Sequence, residues 1–234
     1  TYWDRLGWPD PYGTQWGTER QYDYGLKWGT SRVYTPQIIV DGLQDEVGSR
    51  ERSVRRLVAE ARDIPKPASP DLSWRDGALR IDMPDAPDAA GAEIWLIRFD
   101  EQRQTDILRG ENGGKRLVYH NIVRKRYSLG RFDGRAQLME ASVPPGDTDW
   151  GVAVLVQDDG PGRIWGAASL AAASARVHGN SECAHPAREL AGSQLCRHHH
   201  GVAPTGAGRK RRRFVLRRGA VLVLGERPGL WLLL

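Results

Sequence analysis

Thr35-Pro36 opens the apolar run Gln37-Ile38-Ile39-Val40, and it is the strongest local sign of a functional loop in this chain. X-Pro is the one peptide bond with an appreciable cis population, and Pro cannot donate to a sheet ladder. A Pro at the start of a buried strand therefore has a positional purpose, and the Thr35-Pro36 bond is expected to be cis. Either the loop offers backbone groups to an extended partner, or Pro36 only fixes the strand start and packs under Trp3 or Tyr34. A second group is Gly110-Glu111-Asn112-Gly113-Gly114 followed by Tyr119-His120-Asn121. Imidazole is a common ligand and base, so His120 with Glu111 suits a polar or metal site, although a single His without a second ligand is more often a hydrogen-bonded structural residue. The glycines do not make a phosphate cradle. That loop needs Gly-Lys-Ser or Gly-Lys-Thr opening a helix, whereas Lys115-Arg116-Leu117-Val118 opens a strand.

Asp4, Trp8 and Asp10 share a loop with Pro9 and Pro11. Carboxylates beside Trp suit a substrate rim or an acid of shifted pKa, and equally suit turn caps. Nothing pairs them as a hydrolytic dyad. The exploratory polar site is therefore Asp4, Glu111, Asn112, His120 and Asn121, beside the Thr35-Pro36 loop. No catalytic residue, metal ligand or cofactor is assigned. Cys183, His185, Cys196 and His198 to His200 are zinc-ligand types, but Cys183-x-His185 and Cys196-x-His198 are too tight for the usual pairs. The basic run Arg209 to Arg213 suits nonspecific contact with phosphate backbones, and no specific nucleic-acid partner is expected.

Charge and composition divide the chain. From Arg176 onward eleven Lys or Arg face three Glu, a net of +8 in a chain of +5, which leaves Thr1 to Ala175 at −3. Both Cys and five of the six His also follow Ala175, so the basic character belongs to the tail. No segment approaches the roughly 20 apolar residues that a membrane span requires.

Elements are read from period and punctuation. Thr18 with Glu19 predicts a helix to about Trp28. Asp41-Gly42 predicts a two-residue hairpin turn between the strand from Gln37 and a return strand Leu43 to Val47. Ser49 then caps a helix to Arg62, with Val54, Leu57, Val58 and Ala61 on one face. Proline, strand, turn, strand, helix is the closing order of a thioredoxin-like fold. Ile64 to Pro70 has three prolines in seven positions and suits a stiff linker. From Asp71 the period becomes alternating, which predicts seven or eight strands of an antiparallel β-sandwich-like domain. Asp76-Gly77, Asp133-Gly134 and Asp159-Gly160 are its expected hairpin turns.

Tyr2-Trp3-Asp4-Arg5-Leu6-Gly7-Trp8, Thr18-Glu19-Arg20-Gln21, Val33-Tyr34-Thr35-Pro36-Gln37, Val47-Gly48-Ser49, Arg109 to Gly114 and Tyr119 to Arg124 together resemble a bacterial secreted family, domain of unknown function 1223. The resemblance covers roughly the first 170 residues. It implies a thioredoxin-like domain followed by a β-rich domain, a cis Thr35-Pro36 bond as in the loop of thioredoxin-like proteins, a secreted or periplasmic location, and a Cys-x-x-Cys motif near the mature start. This chain has no Cys before Cys183. The attacking species in thiol-disulfide exchange is a thiolate at a helix N-terminus, so the chain itself is expected to be redox-inactive.

The resemblance places Thr1 at the end of an inner strand, so the first strand, the Cys pair and their helix are expected upstream. Their removal is expected to expose Tyr34, Ile38, Ile39 and Val40. The expected fold class is α+β, with a truncated thioredoxin-like domain over residues 1–63, a linker over 64–70, a β-sandwich-like domain over 71–172 and a basic low-order tail over 173–234. Loss of pattern after about Leu170, with a jump in Arg and His, is what reading a GC-rich gene out of frame produces. The expected function is that of a fragment whose complete form handles thiols or disulfides. The competing expectation is a non-catalytic binding or scaffold module of the cell envelope with a protein or peptide partner.

Overall fold

Thr14 starts the first helix of the computed structural model, which describes residues 11–30, 33–107, 114–147, 149–172 and 221–224. Helix α1 spans Gln15–Lys27, and Thr14 Oγ1 accepts the Gly17 N–H at 3.1 Å. Thr14 caps from extended backbone (φ −128°), whereas Thr18, the expected start, already lies in the second turn. Strands β1 (Gln37–Val40) and β2 (Gln44–Val47) pair antiparallel, and helix α2 (Glu51–Arg62) follows. Arg50, not Ser49, holds the α2 cap position, with no side-chain hydrogen bond.

Alternation in β1 sends its side chains two ways. Ile38 and Val40 pack against Leu57 and Ala61 of α2, while Ile39 joins Tyr24 of α1 on the opposite face. Ile38, Ile39 and Val40 are 5%, 0% and 3% exposed, so the expectation that they lie bare does not hold. Each such burial is worth about 1.5–3 kcal/mol. Tyr34 is half-buried. The β1–β2 loop has three residues instead of two. Val40 pairs with Gln44, the Leu43 N–H bonds Val40 O at 3.0 Å, and Asp41 and Gly42 take φ of 52° and 71°.

Seven strands occupy the next hundred residues: β3 (Asp71–Arg75), β4 (Ala78–Met83), β5 (Glu93–Asp106), β6 (Arg116–Arg131), β7 (Gln137–Ala141), β8 (Trp150–Gln157) and β9 (Ile164–Ala171). A last strand, β10, runs Val221–Leu224. The sheets have the orders β10-β1-β2, β3-β4-β7 and β6-β5-β8-β9, and among the described residues every strand pairing is antiparallel. The chain is thus a mixed α/β protein, mostly antiparallel sheet with few helices. β10 falls inside the segment expected to be of low order. Its Val-Leu-Val-Leu run suits a strand, and pairing from Gln37↔Leu224 to Val40↔Val221 covers the open edge of β1.

The four-stranded sheet is apolar on both faces. Ile94 and Leu96 of β5 and Val152, Val154 and Val156 of β8 meet Leu79, Ile81 and Met83 of β4. Ile97, Phe99, Ala153, Leu155 and Ile164 meet Ile39 and Tyr24 on the other side. β8 reads as a continuous apolar run because it is buried on both faces.

Of the three expected Asp-Gly hairpins, only Asp76-Gly77 is a two-residue turn, with Arg75 paired to Ala78 and φ of 48° and 81°. Asp133-Gly134 instead lies on the crossing from β6 to β7, which belong to different sheets. Asp159-Gly160 sits in a longer loop closed by the Asp158 N–H to Arg163 O bond. The Pro-rich segment is docked along β9: Ala68 is 0% exposed and its N–H reaches Trp165 O at 3.3 Å.

Candidate functional site

The start of β1 is surrounded by polar side chains from three elements. The Thr35-Pro36 bond is cis. Gln21 of α1 donates from Nε2 to Tyr34 O at 2.7 Å and to Gln37 Oε1 at 3.0 Å. Gln37 Nε2 donates to Asp45 Oδ2 at 2.6 Å, and Tyr34 OH donates to the same oxygen at 2.5 Å. The Gly48 N–H closes the far side on Pro36 O at 2.8 Å. Burial pushes the Tyr34 phenol well above its ordinary value, and the hydrogen bond to Asp45 and that residue's charge push the same way. The hydroxyl therefore stays protonated at neutral pH and acts as a fixed donor. This network fixes the loop carbonyl of Tyr34.

His120 and Asn121 lie on a second feature, the arm in which β5 and β6 continue past their neighbour. β8 pairs with β5 only from Glu93 to Asp100, whereas β6 follows β5 to Asp106↔Arg116. Gln102 faces His120 and Arg103 faces Tyr119 in that ladder, and Asn121 has φ of 49°. Burial pulls the His120 imidazole below its ordinary value. Tyr12 closes over the arm, its hydroxyl 2.8 Å from Thr105 Oγ1 and its ring edge-on to Tyr119 at 5.1 Å. Buried Asp100 takes Arg103 Nε at 2.8 Å and lies 3.6 Å from Arg124 Nε, and the Arg124 guanidinium sits over the Tyr12 ring. Asp4, Glu111 and Asn112 lie outside the described residues, as do the Cys and His of the tail. Thr35 and Pro36 lie in the bend before β1, and His120 and Asn121 lie in β6. Among the described residues no group of three His, Cys, Asp or Glu is arranged to hold a metal. No helix among them is long and apolar enough to cross a membrane.

A third polar group ties α1 to the end of β8. Arg20 Nη2 donates to Gln157 Oε1 at 2.5 Å, and Gln157 Nε2 donates to Tyr24 OH at 2.9 Å and to Gly162 O at 2.7 Å. All three side chains are buried. Sequence reasoning missed this group along with Gln21, Gln37 and Asp45. The available signals were the i, i+4, i+8 spacing of Trp16, Arg20 and Tyr24, and a Gln at the end of each of two otherwise apolar runs, Gln37 opening β1 and Gln157 closing β8.

The model of a family described as a protein of unknown function, DUF1223, matches residues 1–157, the portion that holds the β1 loop, the arm and the Arg20 group. The chain belongs to this DUF1223 family. No curated protein matches the chain. Its fold is similar to the crystal structure of an Agrobacterium tumefaciens protein, with a TM-score of 0.61 and 27% identity over 75% of this chain and 79% of that one. The Thr35-Pro36 loop, His120 and Asn121 all fall within the part matched by the DUF1223 family.

Proposed function

We propose that this chain is the thioredoxin-like and β-sandwich-like body of a secreted or periplasmic protein that binds an extended protein or peptide segment without thiol exchange. One observation carries the reading: the Gln21, Gln37, Asp45 and Tyr34 network holds the backbone around Thr35-Pro36 at the start of β1. A preset backbone loop recognises an extended partner at low entropic cost. The order β1, β2, α2, with Ile38 and Val40 packed on α2, supports the thioredoxin-like assignment. The core between the β3-β4-β7 and β6-β5-β8-β9 sheets supports the sandwich-like one. Residues 1–182 contain no thiol, so nothing in them can attack a disulfide.

The alternative is that a complete form handles thiols or disulfides with the same loop, as the family resemblance implies. Two measurements separate the readings. Titration with a reduced, carbamidomethylated unfolded polypeptide is expected to shift the amide resonances of Tyr34, Thr35, Gln37 and Asp45, while insulin reduction by dithiothreitol proceeds no faster with the protein present. Unmoved loop resonances would overturn the binding reading. Accelerated insulin reduction that disappears in the Cys183→Ser, Cys196→Ser double variant would overturn the redox-inactive part.

A further inference from the structure

β10 lies along a strand whose two faces are both apolar. Ile38 and Val40 of β1 pack on Leu57 and Ala61 of α2, and Ile39 packs with Tyr24 of α1 on the other side. The β1–β10 register runs from Gln37↔Leu224 to Val40↔Val221, so Leu222 stands opposite Ile39. One bond at the start of β1 sets the direction of the backbone groups. The Gly48 N–H donates to Pro36 O at 2.8 Å, and alternation along an antiparallel pair then turns Ile38 and Val40 toward β2 and Gln37 and Ile39 toward β10. By the same alternation the N–H groups of Leu222 and Leu224 face β1, and that of Val223 faces away. Among the described residues β10 pairs with β1 alone, and residues 172–220 separate it from β9. Gln37, where the pairing ends, also belongs to the hydrogen-bonded group around Thr35-Pro36.

From this arrangement, and resting on the peptide-binding reading above, we infer that the β1 edge is a strand-receiving site for an apolar extended segment of a partner polypeptide, with β10 as its built-in competitor. An added strand gains main-chain hydrogen bonds, and the layers on either side of the edge set its specificity. A segment laid along β1 meets an apolar layer on each face. It must therefore be apolar at consecutive positions, as Val221-Leu222-Val223-Leu224 is. Runs of this kind are buried in folded proteins and accessible in unfolded ones. β10 holds the edge through its effective concentration, which is on the order of millimolar for a short linker and falls as the connection lengthens. A partner segment competes with it without having to bind tightly.

Amide exchange in the full chain is the test. Leu222→Pro removes a donor that faces β1, whereas Val223→Pro removes one that faces away. In Leu222→Pro the Gln37 and Ile39 amides are expected to exchange about tenfold faster or more, with Ile38 and Val40 unchanged, and Val223→Pro is expected to match the wild type. The probe is an end-blocked Lys-Val-Leu-Val-Leu-Lys peptide, with Lys-Ser-Leu-Ser-Leu-Lys as the control. The probe is expected to restore protection of Gln37 and Ile39 saturably in Leu222→Pro, with an affinity about tenfold or more above that for the wild type and above that of the control. Unchanged exchange of Gln37 and Ile39 in Leu222→Pro, or equal affinity for wild type and variant, would overturn the competition by β10. Failure of the probe to protect these amides in Leu222→Pro, or equal protection by the control, would overturn the strand-receiving site. Neither failure touches the loop reading, which is decided by the Tyr34 and Thr35 shifts with unfolded polypeptide.

Discussion

Asp41 Oδ2 lies 2.8 Å from Lys66 Nζ, and both side chains are almost fully buried, at 2% and 4% exposure. The pair joins three segments at one point. Asp41 belongs to the β1–β2 loop, and its carbonyl accepts the Ile164 N–H of β9 at 2.8 Å. Lys66 also donates to Ala61 O in the last turn of α2 and to Ile64 O just beyond it. Removing one partner leaves the other charge buried and unpaired, so Lys66→Met is expected to destabilise the chain by about 3 kcal/mol. Asp41→Asn keeps the left-handed turn geometry, and the double variant is expected to recover part of the loss. Urea unfolding of the three variants checks this, and additive losses would contradict the coupling.

Gly166 faces the Pro-rich segment so closely that a Cβ there would lie 2.2 Å from the Ala68 carbonyl carbon. Backbone cannot yield as a flexible side chain can. Gly166→Ala is therefore expected to cost about 2–3 kcal/mol and to open the region around Ala68 and Trp165 to amide exchange. Gly77→Ala, where φ is +81° and no atom crowds the new Cβ, is expected to cost only about 1 kcal/mol. Equal losses at the two sites would argue against docking of the segment.

Tyr34→Phe removes one of the two donors to Asp45 Oδ2 while leaving Gln37 in place. A loss of about 1 kcal/mol is expected, and the Gln21 side-chain amide is expected to become more mobile because its acceptor loop is less constrained. Thermal unfolding reads the first effect and side-chain relaxation the second.

His120 supplies a pH signature. Its folded pKa is depressed by burial below the ordinary 6.5. A neutral form favoured by folding contributes stability above the unfolded pKa, and that contribution is lost as pH falls through the folded value. The wild-type unfolding midpoint is thus expected to fall more steeply than that of His120→Gln on acidification below about pH 6.5. An imidazole resonance titrating at or above 6.5 would contradict the burial of this ring.

Much of the local architecture was legible in residue order. The apolar face of α2, the split of Ile38 and Val40 from Ile39, and the alternation in β4 follow from side-chain period alone. The loop at Thr35-Pro36 was marked by a proline ahead of an apolar run. What surrounds that loop was not marked. Asp45 and Gln37 are eight residues apart, and their bond forms only because the three-residue loop sets Asp45 opposite Ile39.

By itself the sequence determined which positions are apolar, roughly where α2 and most of the strands before residue 172 run, and that no thiol precedes Cys183. The tertiary structure alone decided how those elements stack, and with that every long-range polar contact. Arg20 meets Gln157 across 137 positions, and Tyr12 meets Thr105 across 93. Three Asp-Gly pairs also diverge, because the same dipeptide closes a tight hairpin only where the flanking strands pair with each other. The physical reason is shared. Period and turn chemistry are local steric properties, whereas the pairing of buried charges and amides depends on which sheet faces meet, a choice governed by the burial of the whole chain.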